Sequence, residues 1–443
     1  MSTIRAMNFY DISWQIADLL ETTRTVYFRT DPEVPDFTAR SPFKCVVWNL
    51  RHKIEIDVTP ENIILVMGLF DATIFNKELV DRIYTWNLKS FSTYLRSQVP
   101  KFVNPTTSVI DLKIIENFLG IRKNRPENLV EAINRTKIAV KNKHWQTIYK
   151  SLHLPLALRV LPAIESTPLL NENTRKPEYP YYEIEGQANG RMNCMKKYAC
   201  SYLPHNLGPD ARRSLKPKGY GLRFISADVR HCEVTVLQWL TGDESLRQIL
   251  ESGRDLHERI YEVITEDKCD TEKKRAISKL LFLPVMYGCG PQTLAANLGL
   301  REAVGVELHN RVKQRFHTAY DRMMEIQKRA EAGPVEDYFG RSRTFPEGER
   351  YKARNFWVQG VAATACQEKL VDLYKALDGE NAYVAFSVHD GYCGVCTIKS
   401  ARNTYRTMKQ TLEAESTLCP GLRMKVEIKF GARLDEMKVL WKD

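Results

Sequence analysis

Several common signals are missing from this 443-residue chain, and each absence narrows what it can be. No apolar run approaches the roughly 18–20 residues that span a bilayer, so no membrane partner is expected. The N-terminal MSTIRAMNFYDISWQ lacks the apolar stretch of a secretory signal, and a cytoplasmic location is expected. Ten cysteines are scattered without a compact framework, the pattern of reduced thiols. Cys393 and Cys396 form the only CxxC, with no second pair to complete a zinc site, and the alternating run around them reads as strand packing. Internal repeats and low-complexity segments are also absent. Between Leu112 and Val160 there is no aspartate at all, which removes one class of metal ligand from that stretch.

What is present is a globular composition with a net charge of +11 and a pI near 9.0, a balance that favours a polyanionic partner. The length allows two or three domains. Short β-like runs, TVYF and FKCVVWNL, occupy the first 60 residues, separated by the turn-rich DPEVPDFTARSP. From Pro60 to about Val160 the pattern reads as mostly helical, in ENIILVMGLF, KELVDRIYTWNL, VIDLKIIENFLG and ENLVEAIN. HWQTIYKSLHLPLALRVLPAIES reads as a long helix with a proline interruption, and the polar connector TPLLNENTRKPEYPYY marks a domain boundary.

The chemistry lies in the second half. In TEKKRAISKLLFLPVMYGCG, residues Arg275, Lys279, Leu283 and Tyr287 recur every four positions and share one helix face. Two cations followed by an apolar residue and a ring can hold the phosphates of a nucleotide and stack on its base or sugar; a solvated basic edge is the plainer reading. RFISADVRHCEVTVLQWLTGDESL begins as a buried strand, reaches Asp228 and becomes a helix near Glu233. NAYVAFSVHDGYCGV reads as a hairpin with Asp390 at its bend, beside His389 and Gly391. Two strand-end aspartates far apart in sequence can converge on a pair of metal ions suited to in-line attack on phosphate, although each alone is more often a turn or cap residue.

The region from about Tyr182 onward resembles the polymerase domain of family A DNA polymerases. ADVRHCEVTVLQWLTGDESL is similar to motif A, KRAISKLLFLPVMYG to motif B and FSVHDGYCGV to motif C. NGRMN, SGRDLHERIYEVI, FGRSRTFP and NFWVQGVAATACQEKL agree in order and spacing. The resemblance implies an α+β right-hand fold: an antiparallel palm sheet, with helical fingers from about 243 to 332, over residues 182–443. It also implies template-directed DNA synthesis from dNTPs on a primer–template, in replication or repair. Asp228 and Asp390 would hold two Mg²⁺ ions, with Mn²⁺ able to substitute. Arg275, Lys279 and His257 would bind the triphosphate, with Lys279 placed to protonate the leaving group. Tyr287 and Leu283 would pack at the base or sugar, and Glu233 would exclude a 2′-hydroxyl. Arg191, Gln359 and Asn355 would contact the primer–template end, and His389 the primer-terminal phosphate.

The sequence departs from the family pattern at several points. Val229-Arg230-His231-Cys232 replaces Tyr-Ser-Gln-Ile; Leu283 stands for an aromatic, Pro284 for a glycine that it should turn into a kink, and Gly391 for an acidic residue. Residues 1–165 resemble the family's α/β 3′–5′ exonuclease domain in degenerate form. WNLKSF is similar to the second exonuclease motif, with Phe91 where its Asp is expected, the third motif has no aspartate, and Asp31-x-Glu33 reads as a turn. Residues 166–181 form a short connector where relatives carry a helical thumb, which leaves room for a processivity or replisome protein to supply grip. A primer-making nucleotidyltransferase adding few nucleotides, and a non-catalytic nucleic-acid-binding subunit, are the two alternative readings.

Overall fold

The computed structural model describes residues 3–6, 25–31, 43–48, 53–58, 82–98, 108–121, 124–139, 143–197, 201–268, 270–378 and 381–439. Its N-terminal part is built on six strands: β1 (Thr3–Ala6), β2 (Thr25–Asp31), β3 (Phe43–Trp48), β4 (Lys53–Val58), β5 (Arg82–Thr85) and β6 (Ser108–Asp111), in the order β1-β4-β3-β2-β5-β6. β2, β5 and β6 run parallel, whereas β3 is antiparallel to both β2 and β4. RIYT and VID, whose pattern reads as helical, are therefore in strands. Parallel strands buried on both faces lose the polar alternation that marks a half-buried strand, so periodicity alone misassigns them. The reading of ENIILVMGLF lies outside the described residues.

Helix α1 (Leu88–Gln98) follows β5 and lays Phe91 against Phe28 and Phe43, with ring centroids 4.8 and 6.2 Å apart. Asp111 ends β6 and caps the short helix Leu112–Phe118 by accepting from the Lys113 amide. The run from 143 to 165, α2, is helical throughout. Pro155 and Pro162 do not interrupt it; stretches Tyr149–His153 and Leu156–Val160 adopt wider π-type turns. A π turn shifts the hydrogen-bond register, which lets a proline sit inside the run. The two halves of the molecule are tied by Glu165 at the end of α2. Its buried carboxylate accepts from Lys89 Nζ at 2.7 Å, Thr93 Oγ1 at 2.7 Å and the Tyr182 amide at 2.7 Å.

Only Ser166 to Pro168 separate α2 from β7 (Leu169–Asn171), which turns back as β8 (Lys176–Glu178). The connector of the sequence reading is thus mostly a β-hairpin, and no helical hairpin lies between α2 and β7. Beyond it come the short pair β9 (Tyr182–Glu183) and β10 (Asn193–Cys194), then β11 (Leu215–Pro217), which joins β7 and β8 in a three-stranded sheet.

The palm is the antiparallel sheet β15-β16-β12-β17, made of β12 (Leu222–Val229), β15 (Ala382–Val388), β16 (Gly391–Thr397) and β17 (Val426–Gly431). Cys393 and Cys396 are buried on β16, as strand packing predicts. Helix α3 (Cys232–Thr241) leaves β12, and α4 (Leu256–Thr265), α5 (Glu272–Met286), Pro291–Leu298, Glu302–Arg315 and His317–Ala332 form the helical region that follows. Between that region and the palm hairpin, β13 (Val335–Glu336) and β14 (Ser342–Arg343) lead into α6 (Lys352–Ala376), whose side chains are buried over most of its length. One large apolar core runs from α2 through α3, α5 and α6 to the palm. The other palm face packs Phe224, Phe386 and Val395 against Leu169, Tyr202 and Leu215.

Candidate active site

β12 is a run of apolar residues that ends where the sheet meets solvent, and Asp228 is its penultimate residue. The register pairs Asp228 with Gly391 on one side and Glu427 on the other. His389 and Asp390 form the tight turn between β15 and β16, with Val388 paired to Gly391 and His389 in the left-handed region at φ 52°. This turn brings Asp390 beside the end of β12, where its carbonyl accepts from the Val229 amide at 3.1 Å. A Cβ added to Gly391 would lie 3.3 Å from Asp228 Oδ1, so the missing side chain leaves room for the Asp228 carboxylate over the turn. Burial raises the pKa of both carboxyls, and Asp390 raises that of Asp228 further. Carboxylate oxygens are hard donors of the kind that a divalent cation takes, although among the described residues no group of three or more His, Cys, Asp or Glu side chains that could hold a metal ion is gathered.

Glu233 sits in the first turn of α3, and its carboxylate is the hub of a second cluster. It accepts from Arg191 at 3.0 Å, Gln359 Nε2 at 2.9 Å and the Tyr287 hydroxyl at 2.6 Å. Four residues picked from separate motifs therefore meet at one point. Burial, then the Glu233 charge, pushes the Tyr287 phenol well above its ordinary pKa, so it stays a donor. Asn189, not singled out in the sequence, donates to Gln359 Oε1 at 2.8 Å and fixes that amide. Asn355 lies one turn before Gln359 on α6, and both line a cleft of about 680 Å³ with Tyr287, Arg343 and Phe345. Gln367 was also missed; it donates to the Gly190 carbonyl at 2.8 Å, holding the loop that carries Arg191. Both lie inside the signatures NGRMN and NFWVQGVAATACQEKL, which carried a signal for the stretch but not for these two side chains.

The cationic face of α5 forms as the four-residue spacing predicts. Arg275 makes a two-point contact with Asp255, at 3.1 Å from Nε and 2.8 Å from a terminal nitrogen. Asp255 also caps α4 through the His257 and Glu258 amides. Burial pushes the Asp255 carboxyl up, but the Arg275 guanidinium and the Glu258 amide outweigh it and hold its pKa at about 2. Lys279 is exposed one turn further along, and Leu283 is half-buried against the main core. α5 runs through Pro284 to Met286, although proline has no amide to give Leu280, which lies on the exposed side.

His257 packs edge-on against His231, with centroids 5.8 Å apart. Burial lowers the His257 pKa to about 4, more than the Asp255 charge restores. His389 stacks on His205 at 4.6 Å and 25°, and His205 is likewise held at about 4 by burial and by His389. His205 had no motif to mark it.

An antiparallel palm, a buried helix behind it and a helical region carrying cations in front constitute the polymerase right hand. The chain belongs to DNA polymerase family A, whose sequence profile matches residues 183–436, more than half of its length. It is 24% identical to DNA polymerase I of Chloroflexus aurantiacus over 312 residues, 64% of this chain and 32% of that one. It is 27% identical to the thermostable DNA polymerase I of Thermus aquaticus over 226 residues, covering 47% of this chain and 27% of the relative. A DNA polymerase of Mycobacterium phage D29 is 27% identical over 175 residues, covering 38% and 28%. The chain thus spans a third or less of these relatives. Its fold is that of the POL domain of Pol1 from M. smegmatis, solved with DNA primer-template and dNTP, at a TM-score of 0.79, 12% identity and 98% and 99% coverage. Among the described residues no helix is long and apolar enough to cross a membrane.

Proposed function

We propose that this chain is a template-directed DNA polymerase that transfers deoxynucleotides from dNTPs to a primer 3′-hydroxyl and has no 3′–5′ proofreading. The observation that carries this reading is that Asp228 and Asp390 lie together at one end of the palm strands, with the Glu233 hub on the helix that follows. The two carboxylates would hold a pair of Mg²⁺ ions, which when bound supply Lewis-acid activation of the hydroxyl and neutralise charge on the pyrophosphate. Arg275 and His257 are set to receive the triphosphate, and Lys279 to hand a proton to the departing phosphate oxygen. Asp255 keeps the Arg275 guanidinium extended until a phosphate competes for it. Arg191 and Gln359 reach the base-paired primer end, His389 its phosphate, and Tyr287 closes the base side. The free thiols found among the described residues fit a reducing cytoplasmic setting. Primer extension on a gel, with and without template, tests the reading. Template-independent addition, or a product of a few nucleotides made without a primer, would favour a primer-making enzyme, and absence of any addition a non-catalytic subunit.

Glu233 is the proposed gate against ribonucleotides, because its carboxylate is pinned by three donors and cannot swing away from a 2′-hydroxyl. Glu233→Ala should lower the dNTP/rNTP ratio of kcat/KM by roughly tenfold or more. An unchanged ratio would remove the gate role.

Proofreading needs a full carboxylate set, and several residues of the N-terminal domain that could supply it are engaged in packing or pairing. Phe91 is a core side chain, Asp111 is a buried helix cap, and Glu116 is paired with Arg135 at 2.5 Å. Asp31 ends β2, while Glu33 lies outside the described residues. A mismatched 3′ end should therefore survive incubation with Mg²⁺. Mismatch removal that persists in Asp228→Asn and disappears when Asp31 and Glu33 are replaced would overturn this expectation.

A further inference from the structure

The carboxylate pair has a flank that, apart from His389, none of the assigned roles uses. Beside it opens a cleft of about 460 Å³, bounded by Asp228 and Asp390 at one end and lined further along by His205, Arg212 and Lys429 over an apolar floor that includes Phe386 and Leu434. We propose that Lys429 is a strand-gripping residue, holding one backbone phosphate of the primer within a few linkages of its 3′ end. The proposal rests on the polymerase reading above and names a contact within it.

The placement follows from the sheet. On β17, Glu427 lies opposite Asp228 and Lys429 lies opposite Ser226. Residues directly opposite share a face, so Lys429 is the diagonal neighbour of Asp228 at roughly 7–8 Å. Among the described residues, the ion pair that Lys429 makes is with Glu427, at 2.8 Å, in a pair whose side chains are 42% and 33% exposed. Glu427 also pairs with Arg230 at 3.3 Å, so releasing the lysine leaves it partnered. An exposed pair of this kind contributes little and yields readily to a phosphate.

Geometry then selects the strand. The triphosphate belongs with Arg275, Lys279 and His257 on the helices beyond α3. The strand whose 3′-oxygen must reach Asp228 and Asp390 has to approach from elsewhere, and the cleft is continuous with that pair. Its cations outnumber its remaining carboxylate, Asp435, which is itself within 3.5 Å of Arg213. With three residues joining α2 to β7, no helical hairpin is inserted between them to grip the duplex.

The test is the affinity of the full chain for a labelled recessed primer–template, measured without nucleotide across a salt series. Lys429→Ala should weaken binding about fivefold and reduce the slope of log Kd against log salt by roughly one, whereas Lys429→Arg should restore the slope. A neutral methylphosphonate placed singly at each of the last four primer linkages supplies the second arm. At one of these positions it should cost the wild type about the same factor and cost Lys429→Ala nothing more, the non-additivity of a direct contact. Additive losses at all four positions, or an unchanged slope in Lys429→Ala, would overturn the assignment. If the wild type itself does not prefer the recessed primer–template to a blunt duplex of equal length, the polymerase reading has failed instead.

Discussion

Asp228→Asn or Asp390→Asn should reduce primer extension by roughly 10³-fold or more while leaving affinity for primer–template nearly unchanged. The two carboxylates are brought together by independent pieces of the palm, the end of β12 and the β15–β16 turn. Each carries a pKa raised by burial, so the free site holds charge that the protein only partly balances. Asparagine keeps the size of the side chain and removes the charge that would attract a cation. DNA binding should survive because deleting a negative charge does not weaken attraction to phosphate. Extension by single-turnover quench and binding by anisotropy separate the two effects. Gly391 sharpens the expectation: with no acidic neighbour in the turn, no third carboxylate stands in sequence beside Asp390 to take over. Near-normal turnover in either variant would mean that the site of chemistry lies elsewhere.

The isolated chain should be distributive, and its grip on DNA should collapse with salt. Only three residues lie between α2 and β7, too few for a helical thumb there, and on that reading the duplex behind the site would be held mainly by charge. If about 6–10 phosphates are contacted, affinity falls roughly 10³- to 10⁵-fold between 50 and 200 mM salt, because counterion release then drives binding less. Each dissociation competes with the next addition, and products from one encounter should be short. Extension in the presence of a heparin or DNA trap, repeated across a salt series, measures this directly. Long single-encounter products at near-physiological salt would show that these residues contain a mechanical clamp. A processivity protein docking on the N-terminal domain should lengthen products without altering the single-nucleotide addition rate.

How much of this was legible in the sequence follows from the range of the forces involved. The β12 strand, the Asp390 hairpin and the face of Arg275, Lys279, Leu283 and Tyr287 depend on neighbours within a few residues, where alternation and helical period speak directly. The sequence marked residues 166–181 as a short connector, but that it is mostly a β-hairpin joined to α2 by three residues was shown only by the structure. Strands β5 and β6 were not legible: β5 is buried between parallel neighbours and has no alternation, and β6 is a four-residue edge strand too short to show one. The Glu233 hub belongs wholly to the tertiary structure: its donors lie 42, 54 and 126 residues away, and only the packing of α3, α5 and α6 brings them within hydrogen-bond reach. The Asp255 clasp on Arg275, the His205–His389 stack and the place of Lys429 beside Asp228 were decided in the same way. A side chain's chemistry is carried by its own residue, but its partners are chosen by long-range burial and strand register, which no local pattern encodes.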